Sequence, residues 1–311
     1  MMIPSNLLFV CIYMLSFMVV MSGDDWFLVW LGLEINMLSY IVIIYKRYNI
    51  NSMELSMKYF FIQSIGSAVV VSCFYLNNSS FLLIMALSYK MGAGPFFFWF
   101  PSICSGLSWL TCYMLMTFQS VIPLMLISFF YNWIMYMVSI VSLFFGTLGS
   151  FNQINIKQLM AYSSIHHLGW LMMCMMCSDV FWIVYLFIYM VMLLSVIYVL
   201  VGDEIVSILM MNKWQNKFWF VMGMLSMAGM PPFLGFFLKW VAFIYILDMS
   251  FIYIVFMILM SVVMFYIYIR ILYDILLGYM LNSSWLFMVS LDWISIIGMM
   301  MGMMLSVYLL L

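Results

Sequence analysis

Charge is what this sequence has least of. Lysine and arginine together number 9 and aspartate and glutamate 10 among 311 residues, so that 6% of the chain is charged. Soluble domains carry about 25% charged residues, and phosphate backbones are bound by clustered basic side chains. With a net charge of −1, the composition excludes a soluble domain, and we expect no nucleic-acid partner.

Groups that bind metals or perform covalent chemistry are also scarce. The six cysteines are scattered, and the CxxC of Cys174 and Cys177 lacks the second pair that a zinc or redox site of this type requires. No paired carboxylates, cluster of metal ligands or nucleophile beside a base is visible. We therefore expect neither a metal nor a cofactor on this chain, and a membrane enzyme with its own active site is a poor hypothesis.

What the sequence has in abundance is apolar residues, at 69% of the chain, with a mean hydropathy of +1.23. A membrane span needs about 20 of them. The chain therefore predicts an all-α, polytopic membrane helix bundle in one transmembrane domain, residues 1–311, with no cleavable signal before the first span. About eleven spans are expected, at 5–22, 26–45, 53–76, 80–97, 107–130, 133–150, 157–177, 180–201, 218–247, 252–277 and 291–311.

The few charges between spans fall on two membrane faces. One face carries only acids, namely Asp24, Asp25, Asp179 and Asp248. The other receives Lys46, Arg47, Lys157, Lys213 and Lys217, with Arg270 near it, mixed with Asp203, Glu204, Asp274 and Asp292. By the positive-inside rule the second face is cytoplasmic or its organellar equivalent. Eleven spans then place the N-terminus on that face and the C-terminus opposite.

Several ionisable residues remain within the predicted spans. Glu34 lies eight residues after Trp26, which at 1.5 Å per residue is about 12 Å deep. The residues predicted near the midplane are Glu34, Lys90, His166, His167 and Lys239, and Lys58 is shallower. Because each such group costs at least about 2.5 kcal/mol to insert, a shared proton pathway explains the set better than separate accidents.

Each of these residues also has a structural interpretation. Glu34 could be paired for stability alone, and Lys58 could extend to the interface on its four-carbon stem. His166 and His167 point about 100° apart on a helix, so that one of them, His166 in particular, could simply bond a backbone carbonyl. These alternatives stay open at the level of sequence.

Two spans are broken by glycine and proline. The fourth is interrupted after Lys90 at Gly92, Gly94 and Pro95, and the ninth at Pro231 and Pro232. The breaks are five spans apart, an odd offset that predicts two inverted five-helix repeats, about 5–130 and 133–277, followed by a C-terminal helix at 291–311. Interrupted segments at corresponding positions of two halves are typical of transport sites.

Six stretches, in this order and spacing, resemble the subunit 2 family of mitochondrial NADH dehydrogenase, one of the antiporter-like subunits of respiratory complex I. They are WLGLEINMLSYI, MKYFFIQ, MALSYKMGAGPFFFWFP, LMTFQSVIPLMLIS, LGSFNQINIKQLMAYSSIHHLGW and MAGMPPFLGFFLKW, between about Trp26 and Arg270. The combination of AYSSIHHLGW with PPFLGFFLKW is highly specific.

The resemblance implies a proton-translocating subunit of the mitochondrial inner membrane, with its N-terminus in the matrix and its C-terminus in the intermembrane space. NADH oxidation and ubiquinone reduction, with FMN and iron–sulfur clusters, would occur elsewhere in the complex. In that family the glutamate matching Glu34 pairs with the lysine matching Lys90, a central titratable region relays protons, and the lysine matching Lys239 passes charge to a neighbouring subunit. Expected partners are other membrane-arm subunits, including antiporter-like ones, together with phospholipid, water and protons.

The sequence departs from the family pattern at three positions. Ser120 stands where a lysine is usual, Phe97 replaces a histidine, and Leu238 replaces a common proline. The missing lysine leaves a gap in the relay that His167, or else His166, would have to bridge with Tyr162 and ordered water. Two alternative functions therefore remain, namely a structural membrane-arm subunit with an impaired relay and a free-standing cation/proton antiporter.

Overall fold

The described part of the chain folds almost entirely into α-helices. The computed structural model describes residues 4–47, 49–75, 80–151, 153–178, 180–201, 217–231, 233–247 and 251–280. The predicted helix at 291–311 lies outside the described residues, as do Asp179, Asp203, Glu204, Lys213, Pro232, Asp248 and Asp292. Within the described residues the chain divides into two compact units, Met1–Val138 and Ser139–Leu311.

The first unit opens with long apolar helices and continues with shorter ones. Its elements are α1 (Pro4–Met21), α2 (Trp26–Ile44), α3 (Ile50–Tyr75), α4 (Ser80–Met91), a 3₁₀ turn (Gly94–Phe96), α5 (Trp99–Gly106), α6 (Trp109–Met116) and α7 (Phe118–Ser128). The boundary between the units falls within α8 (Ile134–Ser150). Glycine permits a close contact between α1 and α2, because a Cβ on Gly32 of α2 would lie 3.3 Å from the backbone nitrogen of Val20 in α1.

The second unit is built around a polar helix. Its remaining elements are α9 (Ile156–Cys177), α10 (Phe181–Val201), α11 (Lys217–Ala228), α12 (Leu234–Ile246) and α13 (Phe251–Met280). Asn155 caps α9 by accepting a hydrogen bond of 3.1 Å from the backbone N–H of Lys157, which satisfies one of the unpaired donors at a helix start. Nearly every residue of α9 is buried, so that its serines and histidines face protein on all sides.

Five described helices are long and apolar enough to cross a membrane. They are Trp26–Ile44, Ile50–Tyr75, the joined α6–α7 segment Trp109–Ser128, Phe181–Val201 and Phe251–Tyr273, and a bent pair in the first unit could add a sixth. Helices occupy ten of the eleven predicted ranges. The total of eleven crossings and the inverted repeats nevertheless stay predictions.

The structure differs from the predicted boundaries at both breaks. Within residues 98–106, expected as a connection, Trp99–Gly106 form α5, which is bent by 91° from the preceding helical segment. The buried side chains of Phe100, Ile103 and Cys104 hold it against the unit, and Pro101 is tolerated because it lies in the first turn. The predicted span 218–247 is likewise two helices, α11 and α12.

Candidate functional site

Lys90 lies in the last turn of α4, where the chain breaks. Gly92, at φ +70°, donates to the Tyr89 carbonyl oxygen at 3.2 Å, and Ala93 donates to the Ser88 carbonyl oxygen at 2.9 Å. These two bonds form a Schellman motif, which requires a left-handed residue and therefore favours glycine. The carbonyl end of a helix carries partial negative charge, so α4 itself helps to stabilise the Lys90 ammonium.

The neighbouring helix α3 makes room for Lys90. The Gln63 side-chain amide donates to the Lys90 carbonyl oxygen at 2.8 Å, and one turn later a Cβ on Gly66 would come within 2.7 Å of Lys90 Cγ. Lys90 is 6% exposed. A larger residue than glycine at position 66 would therefore occupy the space of the lysine stem.

The acidic residue whose charge acts on Lys90 is Glu34, on α2. Its carboxylate is half-buried and acts electrostatically on Lys90. Glu34 and Lys90 form no ion pair within 4.0 Å, so their two charges interact across a longer distance. An opposite charge nearby still favours the charged form of each partner.

Ser120 is satisfied within its own helix. It is 6% exposed, and its hydroxyl donates to the Thr117 carbonyl oxygen at 2.7 Å. Phe97, the second departure from the family pattern, is buried, and its ring lies tilted against that of Phe98 with ring centroids 4.1 Å apart. Neither position supplies a titratable group to the first unit.

Lys239 lies at the break of the second unit. The α11 helix ends in another Schellman motif, in which Gly229, at φ +83°, donates to the Ser226 carbonyl oxygen and Met230 donates to that of Leu225, both at 3.2 Å. From the following helix α12, the Lys239 ammonium donates to the Ala228 carbonyl oxygen at 2.9 Å. The lysine is 8% exposed, so its charge is held by a helix terminus.

A pocket of about 290 Å³ lies beside this lysine, between the α11–α12 break and α13. Its walls are mostly apolar and include Phe236, Trp240, Phe243 and Phe265. Ser261 is a polar residue of the lining, and its hydroxyl donates to the Ile258 carbonyl oxygen. The pocket has room for water next to Lys239.

His166 is held by Trp170, one turn further along α9. The indole N–H donates to His166 Nε2 at 3.1 Å. Because an indole nitrogen can only donate, Nε2 must be the acceptor, which assigns the proton to Nδ1 and makes this imidazole neutral. Nδ1 has no partner in hydrogen-bond geometry, and the backbone at Leu143 is its neighbouring polar group. The Leu143 backbone is thus a partner of the kind predicted for His166, and the indole is a further partner that the sequence did not predict.

His167 faces α10. Its Nδ1 lies 2.9 Å from the Tyr185 hydroxyl, and its ring packs on that of Tyr189 with centroids 4.7 Å apart. Both histidines are fully buried, and Lys239 acts electrostatically on each of them. His166, His167 and Lys239 thus form one electrostatic cluster in the second unit.

The structure accordingly brings the predicted residues into two groups, one in each unit. Glu34 and Lys90 belong to the first, and His166, His167 and Lys239 to the second. Lys58 belongs to neither, because it forms an exposed ion pair of 2.5 Å with Glu54, the two side chains being 56% and 60% exposed. Tyr162, proposed as a bridge, is half-buried, and its ring lies against Gly149.

Three polar partners were missed by sequence reasoning, namely Gln63, Trp170 and Tyr185. Trp170 follows His166 by four residues and could have been found from helical spacing. Tyr185 comes from another helix and carries no such signal. The described residues contain no group of three His, Cys, Asp or Glu side chains placed to hold a metal ion.

Comparison with known proteins adds to this geometry. The family model described as "NADH:quinone oxidoreductase/Mrp antiporter, TM" matches residues 23–80 and 72–265. A relative from Anopheles gambiae, named NADH-ubiquinone oxidoreductase chain 2, is 36% identical over 267 residues, covering 79% of this chain and 78% of the relative. A relative of the same name from Suncus etruscus is 34% identical over 252 residues, or 73% of each chain.

Solved structures show the same fold at lower identity. A chain of respiratory complex I from Thermus thermophilus, solved with bound aureothin, aligns with a TM-score of 0.78 at 20% identity, covering 97% of this chain and 77% of that one. A chain of the Mrp complex from a Dietzia species aligns with a TM-score of 0.73 at 14% identity, covering 86% and 59%. The fold is therefore shared by a respiratory complex and an Mrp complex.

Proposed function

The chain belongs to the NADH-ubiquinone oxidoreductase chain 2 family of antiporter-like complex I membrane subunits, and on that basis we propose that it translocates protons across the mitochondrial inner membrane. It would do so as one subunit of the membrane arm, beside other antiporter-like subunits. Its N-terminus would lie in the matrix and its C-terminus in the intermembrane space, as the distribution of loop charges suggests.

The observation that carries this proposal is a buried lysine at the carbonyl end of a broken helix in each unit. Lys90 lies in the last turn of α4, and Lys239 donates to the last residue of α11. A charge within a bilayer costs about 2.5–3.5 kcal/mol on insertion scales, so a buried lysine is retained only where its charge serves a purpose. The chain buries two such lysines and stabilises each one with the carbonyl end of a helix. This arrangement favours a role in which the lysines gain and lose protons.

In this mechanism Glu34 and Lys90 act as the charge pair of the first unit. While Glu34 is ionised its field stabilises the Lys90 ammonium, and any rearrangement that separates the two weakens that stabilisation and favours proton release from Lys90. In the second unit, Lys239 and His167 would take up and pass on the charge. Ser120 supplies no titratable group, so His167 becomes the leading candidate for the central relay residue.

Proton movement against a membrane potential needs energy from outside this chain. Each proton costs about 2.3 kcal/mol per 100 mV. We propose that NADH oxidation and ubiquinone reduction, performed by other subunits, supply this energy, and that this chain holds no redox group. Exposed apolar side chains along α3 and α13, such as Phe61, Ile65 and Val262, suit contact with phospholipid or neighbouring helices.

A second candidate is a structural membrane-arm subunit that conducts no protons. The observation favouring it is Ser120, whose hydroxyl is satisfied within its own helix where the family has a lysine. A free-standing cation/proton antiporter is a third, and blue-native electrophoresis separates it from the others. Migration with complex I supports a subunit, and migration as a monomer or small oligomer supports a free antiporter.

The experiment that tests the proposed function is Glu34→Gln in membranes that retain assembled complex. Gln keeps the shape of Glu but cannot carry the charge that acts on Lys90. We expect both NADH:quinone turnover and proton pumping to fall, with the amount of assembled complex unchanged. Wild-type turnover and pumping in this variant would support the structural candidate instead.

A further inference from the structure

We infer that Tyr185 is a positioning residue of the relay, because its hydroxyl can hold His167 in place both before and after that imidazole gains a proton. The inference rests on the proposed function, which it deepens by assigning the proton to one of two adjacent histidines. His167 is the carrier in this assignment, and His166 remains neutral.

The contact between the two residues is short and fully enclosed. The Tyr185 oxygen lies 2.9 Å from His167 Nδ1, with Tyr185 0% and His167 2% exposed. One residue comes from α9 and the other from α10, so the bond crosses between helices. At this depth an imidazole nitrogen without a partner would cost the full desolvation of a polar group, and no bulk water is available to replace the hydroxyl.

The chemistry of the partners distinguishes the two histidines. A tyrosine hydroxyl can donate and accept, whereas an indole N–H can only donate. The bond from Trp170 to His166 Nε2 therefore survives only while His166 is neutral, because an imidazolium would present a second donor to it. The bond between Tyr185 and His167 survives in either protonation state, since the hydroxyl reverses its role.

Over one cycle, His167 gains and loses a proton while Tyr185 only reverses the direction of its hydrogen bond. While His167 is neutral with its proton on Nε2, Tyr185 donates to Nδ1. When a proton is added, Nδ1 gains an N–H that donates to the Tyr185 oxygen, and the hydroxyl hydrogen turns away. When the proton leaves, the first arrangement returns, so Tyr185 itself has neither gained nor lost a proton.

Among the residues that the structure describes, few other groups around His167 could take this part. From α10 it faces Tyr185 and Tyr189, from its own helix His166, and from α12 the charge of Lys239 acts on it. Tyr189 contributes its ring face rather than a hydroxyl to this contact. Lys239 is engaged with the Ala228 carbonyl, and as a like charge it opposes a second proton nearby.

Two substitutions at Tyr185 distinguish a role of its ring in packing from a role of its hydroxyl in positioning His167. Tyr185→Phe keeps the ring and removes the hydroxyl, whereas Tyr185→Gln loses the ring and keeps a side chain that donates and accepts. We expect Tyr185→Phe to lower coupled proton pumping at least about fivefold, the size of effect typical of a lost buried hydrogen bond, and Tyr185→Gln to retain more of it. Pumping and NADH:quinone turnover are measured on assembled complex in mitochondrial membranes.

A matched control and a second pair of variants complete the experiment. Tyr198→Phe makes the same change on an exposed part of α10, and pumping should stay at the wild-type rate. Higher pumping in Tyr185→Phe than in Tyr185→Gln would overturn the inference. If neither Tyr185 variant assembles, His166→Gln decides, because a neutral His166 that carries no proton can be replaced without loss of pumping, and a loss there would make His166 the carrier.

His167→Gln separates this inference from the proposed function. Normal pumping in assembled His167→Gln complex would remove His167 from the relay and with it the route proposed for the second unit. Loss of pumping in His167→Gln together with wild-type pumping in Tyr185→Phe would leave the relay standing and refute only the role of Tyr185.

Discussion

The Lys239 ammonium donates a hydrogen bond of 2.9 Å to the carbonyl oxygen of Ala228, the residue at which α11 ends. A helix that ends within a membrane leaves carbonyl groups unpaired, and at that depth they must be satisfied by protein or by enclosed water. The lysine fulfils this need while it is charged, and less well when it is neutral. Its protonation state is thereby tied to the geometry of the break.

Replacing Lys239 with methionine tests this connection. Methionine matches the length of the lysine stem but leaves the Ala228 carbonyl without its donor. We expect assembled Lys239→Met complex to lose most coupled pumping, while NADH oxidation by the peripheral redox groups with an artificial acceptor continues. Pumping at the wild-type ratio of protons to electrons would show that charge need not pass through this lysine.

The sequence alone predicted the apolar ranges and the two breaks well, because hydropathy sets the position of a span and glycine and proline mark where a helix must stop. It did not predict α5, since Trp99–Gly106 is too short to show a helical period and its 91° bend arises from packing. The ionisable residues were visible as exceptions in apolar runs. Their partners were not, because Tyr185 and Gln63 reach His167 and Lys90 from other helices.

A substitution at Gly66 tests whether the position of Lys90 matters, without changing the charge of the lysine. A Cβ there would lie 2.7 Å from Lys90 Cγ, so Gly66→Val should displace the lysine stem and reduce coupled pumping several-fold. Ala68→Val, on the exposed side of the same helix, is the matched control and should behave as wild type. Equal pumping in the two variants would mean that the position of Lys90 is not critical.

A substitution at Lys58 tests whether this residue belongs to the relay or only to a surface ion pair. Its partner Glu54 is four residues earlier, and both side chains are more than half exposed. Exposed pairs of this kind contribute little to stability because solvent screens them, so Lys58→Met should change neither pumping nor the thermal stability of the complex. A large loss of pumping with normal assembly would instead return Lys58 to the proton pathway.

Ser120→Lys restores the residue that the family pattern leads one to expect, and it asks whether the relay of this chain is incomplete or merely different. Ser120 is 6% exposed and its hydroxyl is already bonded to Thr117, so a lysine would need new room and would add a charge costing about 2.5–3.5 kcal/mol in a bilayer. If His167 and its hydrogen-bonded tyrosine already serve the pathway, the added lysine should leave the ratio of protons pumped per NADH unchanged and lower the yield of assembled complex.

The control for Ser120→Lys is Ser120→Met, which has similar bulk and no charge and should lower the yield of assembled complex less. A higher proton-to-electron ratio in Ser120→Lys than in the wild type would instead show that the serine interrupts proton transfer, and would favour the structural candidate for the native chain.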